Sequence, residues 1–538
     1  MRVYPTSNTR PRFFARKTAQ KTTLVANQKN FHCEVRQQAT FGVSRIKSCR
    51  VLYRHNRCTI QAVPHFSATT TDASPTNVEW RELSPRRSRA ERHPGFVRIG
   101  HWITAGCVGA LFVSGLAILV AHPRLYWGEV GGFGGPSLLD LPMRRVSLGA
   151  GWPRSLHFLA AWVIVATGAA YVFAGVISGH FRRRLLPVDE RSSAYNRPQR
   201  LAYLSIVFGL FPLIIWTGLA MSPALTSSFP FLVTLLGGQQ SARTMHFVAT
   251  CGLMLFVGGH IVMVARSGFR KRVGAMIMDS AAPSDARDLV LPGRRRLIFT
   301  AIGVAAAGVP LGRAALNRAG LIPPDAAGLL GVGETLTYAT HRGLTATGSL
   351  AREFRPSDIS AVAPINGLPP TTATYQRLLA GNFAEWRLAV DGLVARPAEF
   401  ALDELKQFRQ TTQITHVACE EGWSYIAEWT GVRLASLLNE VGISAQARYV
   451  VFFAFDRSWN SLDMADAMHQ QTLLAYGMNG SDLPTGHGAP LRLHIPRQLG
   501  YKQTKYLTRL LVVDSLDKVR NGLGAAAPES GYSWYAGI

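Results

Sequence analysis

Residues 245–265 read MHFVATCGLMLFVGGHIVMVA. The run holds no Asp, Glu, Lys or Arg. It is long enough to cross a bilayer as a helix, which takes ~18–20 apolar residues. Two histidines break it, His246 and His260, 14 residues apart. At 1.5 Å and 100° per residue, that spacing is ~21 Å of rise and only ~40° of rotation. The two imidazoles therefore share one helix face near opposite membrane surfaces. Coordinating side chains inside a bilayer are costly, which makes both functional candidates.

Three more runs have this character: 103–120, 156–177 and 201–221. The loops between them are unequal in charge. Residues 182–200 hold six Arg against Asp189 and Glu190, and 266–296 hold eight Lys/Arg against three Asp, whereas 222–244 hold only Arg243. Basic loops stay on the cytoplasmic side, so the N-terminus, 182–200 and the segment after 266 are expected inside. A fifth run, LIFTAIGVAAAGVPLG at 297–312, follows Gly-Arg-Arg-Arg. Standing alone it would look like an export signal. Within the chain it is expected to be a fifth crossing, from inside to outside, with a buried helix of the next domain as the alternative.

This topology sorts the histidines by depth. His101 opens the first helix near the inner surface, level with His260. His157 opens the second helix near the outer surface, level with His246. Two histidine pairs at two depths suit two stacked b-type haems, each iron taking two neutral imidazoles within a sheath of apolar helices. A packed or interfacial histidine is the alternative for any one of them, and His122 and His180 are secondary candidates. The pattern, with RIGHW (98–102), TGLAMS (217–222) and the histidines 14 apart, resembles the cytochrome b subunits of formate dehydrogenase and nickel–iron hydrogenase over about 95–270. The resemblance implies two-haem electron transfer between a quinone and a partner on the outer face.

The 538 residues carry a formal charge of +26, with 47% hydrophobic and 17% charged residues. Such charge could serve nucleic acid. Its concentration in loops around apolar runs and in residues 1–94 points to a membrane protein instead. Those first 94 residues lack apolar periodicity and are expected to be a basic, mostly disordered tail. The six cysteines show no zinc spacing and no disulfide framework, and Cys107 and Cys251 are read as packing residues. The cluster GEVGGFGG (128–135) follows no strand and reads as a loop, not a phosphate cradle.

From about residue 326 the composition becomes soluble. Runs such as YVVFFAF (449–455), LRLHI (491–495) and LLVVDS (510–515) between Gly, Pro and Asp turns suggest an α+β domain. One cysteine lies here, Cys419, in HVACEEGWS (416–424). A thiolate is a soft ligand for a high-valent metal. A nucleophile would need a histidine base and an orienting group, and no hydrolase signature surrounds it. RLHIPRQLGYKQTK (492–505) places Arg492, Arg497, Lys502 and Lys505 around a glycine turn, fit for phosphate or, equally for Lys502, for a solvated face.

With LLAYGMNGSDLPTGHGAPLRLHIPRQLGYKQTKYL (473–507) and the closing YSWYAGI, residues 340–538 resemble the sulfite-oxidase-type molybdopterin domain. Within that group they are nearer to the periplasmic methionine-sulfoxide-reducing molybdoenzymes. The resemblance implies Cys419 as the catalytic molybdenum ligand, with Asn366, His487, Arg492, Gln503, Thr504 and Lys505 in contact with the cofactor. Ala454 falls where the reductases carry Thr, and NGLPP (366–370) departs from their longer aromatic motif.

The sequence thus predicts a multi-domain chain. An all-α transmembrane four-helix haem bundle (95–275) leads through a basic segment and a fifth helix (276–325) to an α+β molybdopterin domain (326–538). The expected protein lies in a bacterial inner membrane with the molybdopterin domain on the periplasmic side. It couples quinone through two haem b groups to molybdenum–molybdopterin and a small substrate, with no nucleic acid. Glu420 and Glu421 beside Cys419 disfavour an anionic substrate, so reduction of a neutral S-oxide or N-oxide is favoured. The alternatives are sulfite-type oxidation, or an electron-transfer anchor carrying a non-catalytic binding module.

Overall fold

The computed structural model describes residues 95–132, 135–143, 151–179, 181, 197–277 and 312–538, with the backbone of six strands between 13 and 62. The chain divides into two units, Met1–Arg86 and Arg87–Ile538. In the first unit, Phe13–Arg16 pairs with Val43–Ile46, Thr23–Asn27 with His32–Arg36, and Cys49–Arg54 with Arg57–Ala62, all antiparallel. Composition alone predicts no regular structure there. Val, Thr and Ile recur in these strands, and such side chains favour extended backbone.

The second unit opens with four helices long and apolar enough to cross a membrane: α1 Gly95–Leu119, α2 Trp152–Ile177, α3 Gln199–Ala220 and α4 Gln239–Arg266. The run 297–311, expected to complete a fifth crossing, lies outside the described residues. The four helices leave much of their surface uncovered by protein, including Phe112, Phe173, Ile177 and Leu255. That suits helices solvated by lipid, since every backbone polar group is satisfied within the helix. A π-turn at Ile206–Leu210 interrupts α3 just before Pro212, whose ring nitrogen cannot donate to the preceding turn.

The C-terminal part holds two sheets. Its strands are β1 Arg387–Gly392, β2 Ala398–Ala401, β3 Gln410–Ala418, β4 Ser424–Arg433, β5 Tyr449–Ala454, β6 Trp459–Asp463, β7 Leu473–Met478, β8 Ser481–Asp482, β9 Arg492–His494 and β10 Leu507–Val513. One sheet runs β2-β1-β10-β5-β6, with β1 and β10 parallel; the other runs β3-β4-β7-β8, with β9 pairing β7. Alternation sets the core: Leu388 and Val390 of β1 turn inward, as do Gln413, Thr415 and Val417 of β3. Trp386, Trp429, Tyr375, Tyr506 and Phe452 fill the interior.

Helix α5, Leu330–Leu344, bridges the two halves of the unit. Gly333 lets it approach α2 closely: a Cβ there would lie 3.0–3.2 Å from Leu159. Beside this contact Trp162 Nε1 donates to Thr337 Oγ1 at 3.0 Å. The glycine loop makes a second junction. Gly131 exchanges backbone hydrogen bonds with Ser424 of β4 (3.1 and 2.7 Å), and the Glu129 carbonyl accepts from Ser424 Oγ at 3.0 Å. The Glu129 carboxylate takes Arg352 at 2.5 Å and the Gln239 N–H, at the start of α4, at 3.2 Å.

Candidate functional site

The four intramembrane histidines meet in two pairs. The ring centres of His157 and His246 are 6.3 Å apart, and those of His101 and His260 are 6.2 Å apart. An imidazole nitrogen binds a metal at ~2.0–2.1 Å. With roughly 1.1 Å from nitrogen to ring centre, two rings on opposite sides of one metal stand about 6.3 Å apart. Both separations fit an iron between the rings.

Hydrogen bonds fix the tautomer of one pair. His246 Nδ1 lies 3.1 Å from the Ile214 carbonyl, which can only accept, so Nδ1 carries the proton and Nε2 keeps its lone pair. His157 Nδ1 lies 3.0 Å from Ser114 Oγ, whose own proton goes to the Ala110 carbonyl at 2.7 Å. Glycines clear the space around these rings: a Cβ on Gly115 would come 3.4 Å from His157, and one on Gly218 would come 3.6 Å from His246. Such cleared space admits a flat macrocycle. Of the secondary candidates, His122 packs against Tyr126 at 3.0 Å, and His180 lies outside the described residues.

Cys419 opens the connection between β3 and β4. Its N–H donates to the Trp423 carbonyl at 2.9 Å, and Gly422 N–H donates back to its own carbonyl at 3.0 Å. The thiol is 6% exposed and donates to Glu420 Oε2 at 3.4 Å. Burial, then the two glutamates, push its pKa well up, so the metal-free site holds a thiol. A bound cation reverses that balance, because a coordinating thiol is deprotonated. One cavity of ≈1260 Å³ is lined both by His157 and His246 and by Cys419, Glu420, Glu421 and Trp423.

The residues expected to touch the pterin form one linked group. Arg492 donates to the His487 carbonyl at 2.9 Å and to Gln503 Oε1 at 3.3 Å, and stacks over Trp429 at 4.7 Å. Lys505 Nζ donates to the carbonyls of Asn366 (2.8 Å) and Gly486 (2.7 Å). Tyr425 joins this group to the cysteine: its ring lies 6.1 Å from Trp423 and 6.2 Å from His487. Burial and the Arg492 charge lower His487 to about 4 and Lys505 to about 8. Among the described residues, neither Arg492 nor Lys505 has a carboxylate within ion-pair distance. Arg492 Nε, Thr504 Oγ1 and Tyr506 Oη are buried without a partner. Unspent donors around a cationic patch fit a polar, anionic ligand.

Lys502 belongs elsewhere. It is neither on a solvated face nor in this group, but 1% exposed, donating to Asn460 Oδ1 at 2.7 Å and the Ser461 carbonyl at 2.8 Å. Arg497 is likewise buried, reaching the Thr347 carbonyl at 3.3 Å. Sequence reasoning passed over Tyr425, and considered His494 only as a base for a nucleophilic Cys419; its Nδ1 lies 2.9 Å from Gln503 Oε1 and its Nε2 2.8 Å from Thr415 Oγ1. Only the inward alternation of their strands could have pointed to them.

Fold and site together define a membrane-embedded haem protein joined to a molybdopterin-dependent oxidoreductase. The family model for prokaryotic cytochrome b561 matches residues 92–278, and that for the oxidoreductase molybdopterin-binding domain matches 377–519. The chain is 40% identical over 189 residues to the Azospira oryzae subunit YedZ1, provisionally assigned to a protein-methionine-sulfoxide reductase. That match covers 34% of this chain and 70% of YedZ1. It is 32% identical over 169 residues to the protein-methionine-sulfoxide reductase catalytic subunit MsrP of Ralstonia nicotianae, covering 28% of this chain and half the length of MsrP. The chain therefore belongs to the prokaryotic cytochrome b561 family, with a molybdopterin-binding oxidoreductase domain on the same polypeptide. A solved sulfane dehydrogenase, SoxCD of Paracoccus pantotrophus, matches 24% of this chain and 39% of its own at 26% identity; its TM-score of 0.24 adds nothing to the fold.

Proposed function

We propose that this protein draws electrons from quinol through two b-type haems to a molybdopterin centre that reduces a small neutral S-oxide. The observation that carries this reading is the single cavity shared by the His157–His246 pair and Cys419. His101 with His260 holds the inner haem, and His157 with His246 holds the outer one. Cys419 ligates molybdenum. Asn366, His487, Arg492, Gln503, Thr504 and Lys505 hold the pterin and its phosphate.

When bound, molybdopterin supplies oxygen-atom transfer chemistry, and the haems supply electrons one at a time. The balance is an S-oxide, two electrons and two protons giving a sulfide and water. The similarity to YedZ1 and MsrP favours the reductive direction and a methionine-sulfoxide-like group.

The molybdopterin domain faces the periplasm in this reading. In support, it packs on the N-terminal ends of α2 and α4, next to the loops poorer in Lys and Arg. The basic segment and fifth helix over 276–325 then connect the cytochrome (95–275) to the domain beginning near 326.

Cys419→Ser tests the reading. Serine keeps the size but replaces a soft thiolate with a hard, poorly acidic hydroxyl. Haem spectra should stay normal, and turnover per bound molybdenum should collapse. Turnover near wild type at full molybdenum content would leave Cys419 a packing residue and remove the proposed centre.

A further inference from the structure

The two helices that present His157 and His246 share a further spacing: Arg-Ser-Leu-His at 154–157 and Arg-Thr-Met-His at 243–246. Three residues along a helix amount to ~4.5 Å of rise and ~60° of turn, so each arginine sits one turn from its histidine on the same side. Both lie toward the N-terminal helix ends, where the molybdopterin domain packs. Both line the cavity that holds the two imidazoles and Cys419.

Only one of the two charges, that of Arg243, is left without a protein anion. Arg243 donates to the carbonyls of Arg124 (2.6 Å) and His122 (2.8 Å). Arg154 donates to Tyr501 Oη at 3.4 Å and to a carboxylate oxygen of Ile538. Among the described residues, Arg243 has no carboxylate within ion-pair distance, whereas Arg154 lies on the Ile538 carboxylate and feels the charge of Glu420. On the cavity wall, Glu420 accepts from the Cys419 thiol at 3.4 Å and Glu421 from Trp423 Nε1 at 3.1 Å. Neutral donors would satisfy carbonyls as well. A guanidinium has five N–H donors, and each of these uses only two. A withdrawn cation without a counter-ion, as Arg243 is, is expensive, and the two arginines stand at one offset from two ligand positions. A b-type haem brings two carboxylates on one edge.

We propose that Arg243 is a counter-ion of the outer haem's propionates, with Arg154 at the matching offset shared between that edge and Ile538, and that this edge therefore faces the Cys419 connection. The proposal rests on the reading that His157 and His246 hold a haem. Arg243 also touches that connection directly, since a Cβ on Gly422 would lie 2.6 Å from its guanidinium. Cations beside the propionates favour the reduced haem, which carries one more electron, and so raise its potential. They thereby hold the outer haem as the electron acceptor from the inner one.

Redox titration of the purified full chain, resolving its b-type components, tests this. Arg154→Gln and Arg243→Gln should each lower the midpoint of the component that His246→Ala removes and leave the other unmoved. Arg→Lys at either position should restore most of the shift. The propionate bending bands in resonance Raman spectra should move in the Gln variants and not in the Lys variants. Unmoved midpoints with both haems bound would overturn the proposal. Lys variants that behave like the Gln variants would also overturn it, by showing a packing role. If a Gln variant loses the haem, a Lys variant that keeps it near the wild-type midpoint supports the proposal, and one that loses it as well overturns it. A wild-type protein without two b-type components, or a His246→Ala variant retaining both, would instead sink the haem assignment beneath it.

Discussion

Gly422→Ala strikes the junction between the two cofactor sites without touching a proposed ligand. Gly422 has φ +100, a conformation that side-chain-bearing residues rarely adopt. Holding alanine there costs ~1–3 kcal/mol of backbone strain. The new Cβ would stand 2.6 Å from Arg243 Cζ and Nε. The guanidinium is flexible, but it is pinned by two carbonyls at 2.6 and 2.8 Å. Releasing one such charge-assisted bond costs ~1.5–3 kcal/mol. Together the cost is about 3–6 kcal/mol, which lowers the docked-to-undocked ratio about 10²–10⁴-fold. Molybdenum content should be unchanged, because its proposed ligand set is not altered, and the histidine pairs that would hold the haems remain. Quinol-reduced haem should reoxidise far more slowly on addition of an S-oxide, and the thermal midpoint should fall. Gly348→Ala, where nothing lies within 4 Å, is the control. Wild-type reoxidation and melting in Gly422→Ala would refute this account of the junction.

His246→Ala and His260→Ala should each remove one b-type component, and different ones; loss of the same component in both would break the pairing. A reporter active only outside the cytoplasm, fused after Ile538, should be active, and silence there with activity of a cytoplasmic reporter would remove the fifth crossing. Burial, then the Arg492 charge, lower His494 from 6.5 to about 3. The unfolded chain therefore binds more protons between those values, and stability falls as pH drops from about 6.5 to about 3, by at most about 4–5 kcal/mol. His494→Gln removes that titration, so its acid unfolding should be shallower when melting is followed against pH; an unchanged acid limb would contradict the burial argument.

The membrane helices were legible because a bilayer demands one long uncharged run per crossing, and histidine depth follows from helical rise. Cys419 was legible only through the residues flanking it, since a buried thiol by itself is usually packing. The junction was not legible. Its partners, such as Glu129 with Ser424 or Gly422 with Arg243, are far apart in the chain and meet largely through backbone atoms that leave no residue pattern. Lys502 misled for a related reason: a basic run around a glycine turn has no periodicity to separate a buried lysine from a solvated one. Cys251, read as a packing residue, lies exposed on α4 among the residues that line the His157–His246 cavity, a placement that an apolar run does not reveal. The spacing that marks Arg154 and Arg243 was present in the sequence, but arginines at helix ends read first as topology signals.

The cavity shared by both halves has a consequence for how the protein is made. Its floor comes from helices synthesised early, and its roof from residues 419–423, 499, 532 and 538, which leave the ribosome last. Residues 267–538 take about 14–54 s to synthesise at ~5–20 residues per second. Throughout that interval the wall that Cys419–Trp423 lend to the His157–His246 cavity is missing. If the proposed assignment holds, the molybdopterin domain supplies the last wall of the chamber, so haem loading and docking of that domain are coupled steps.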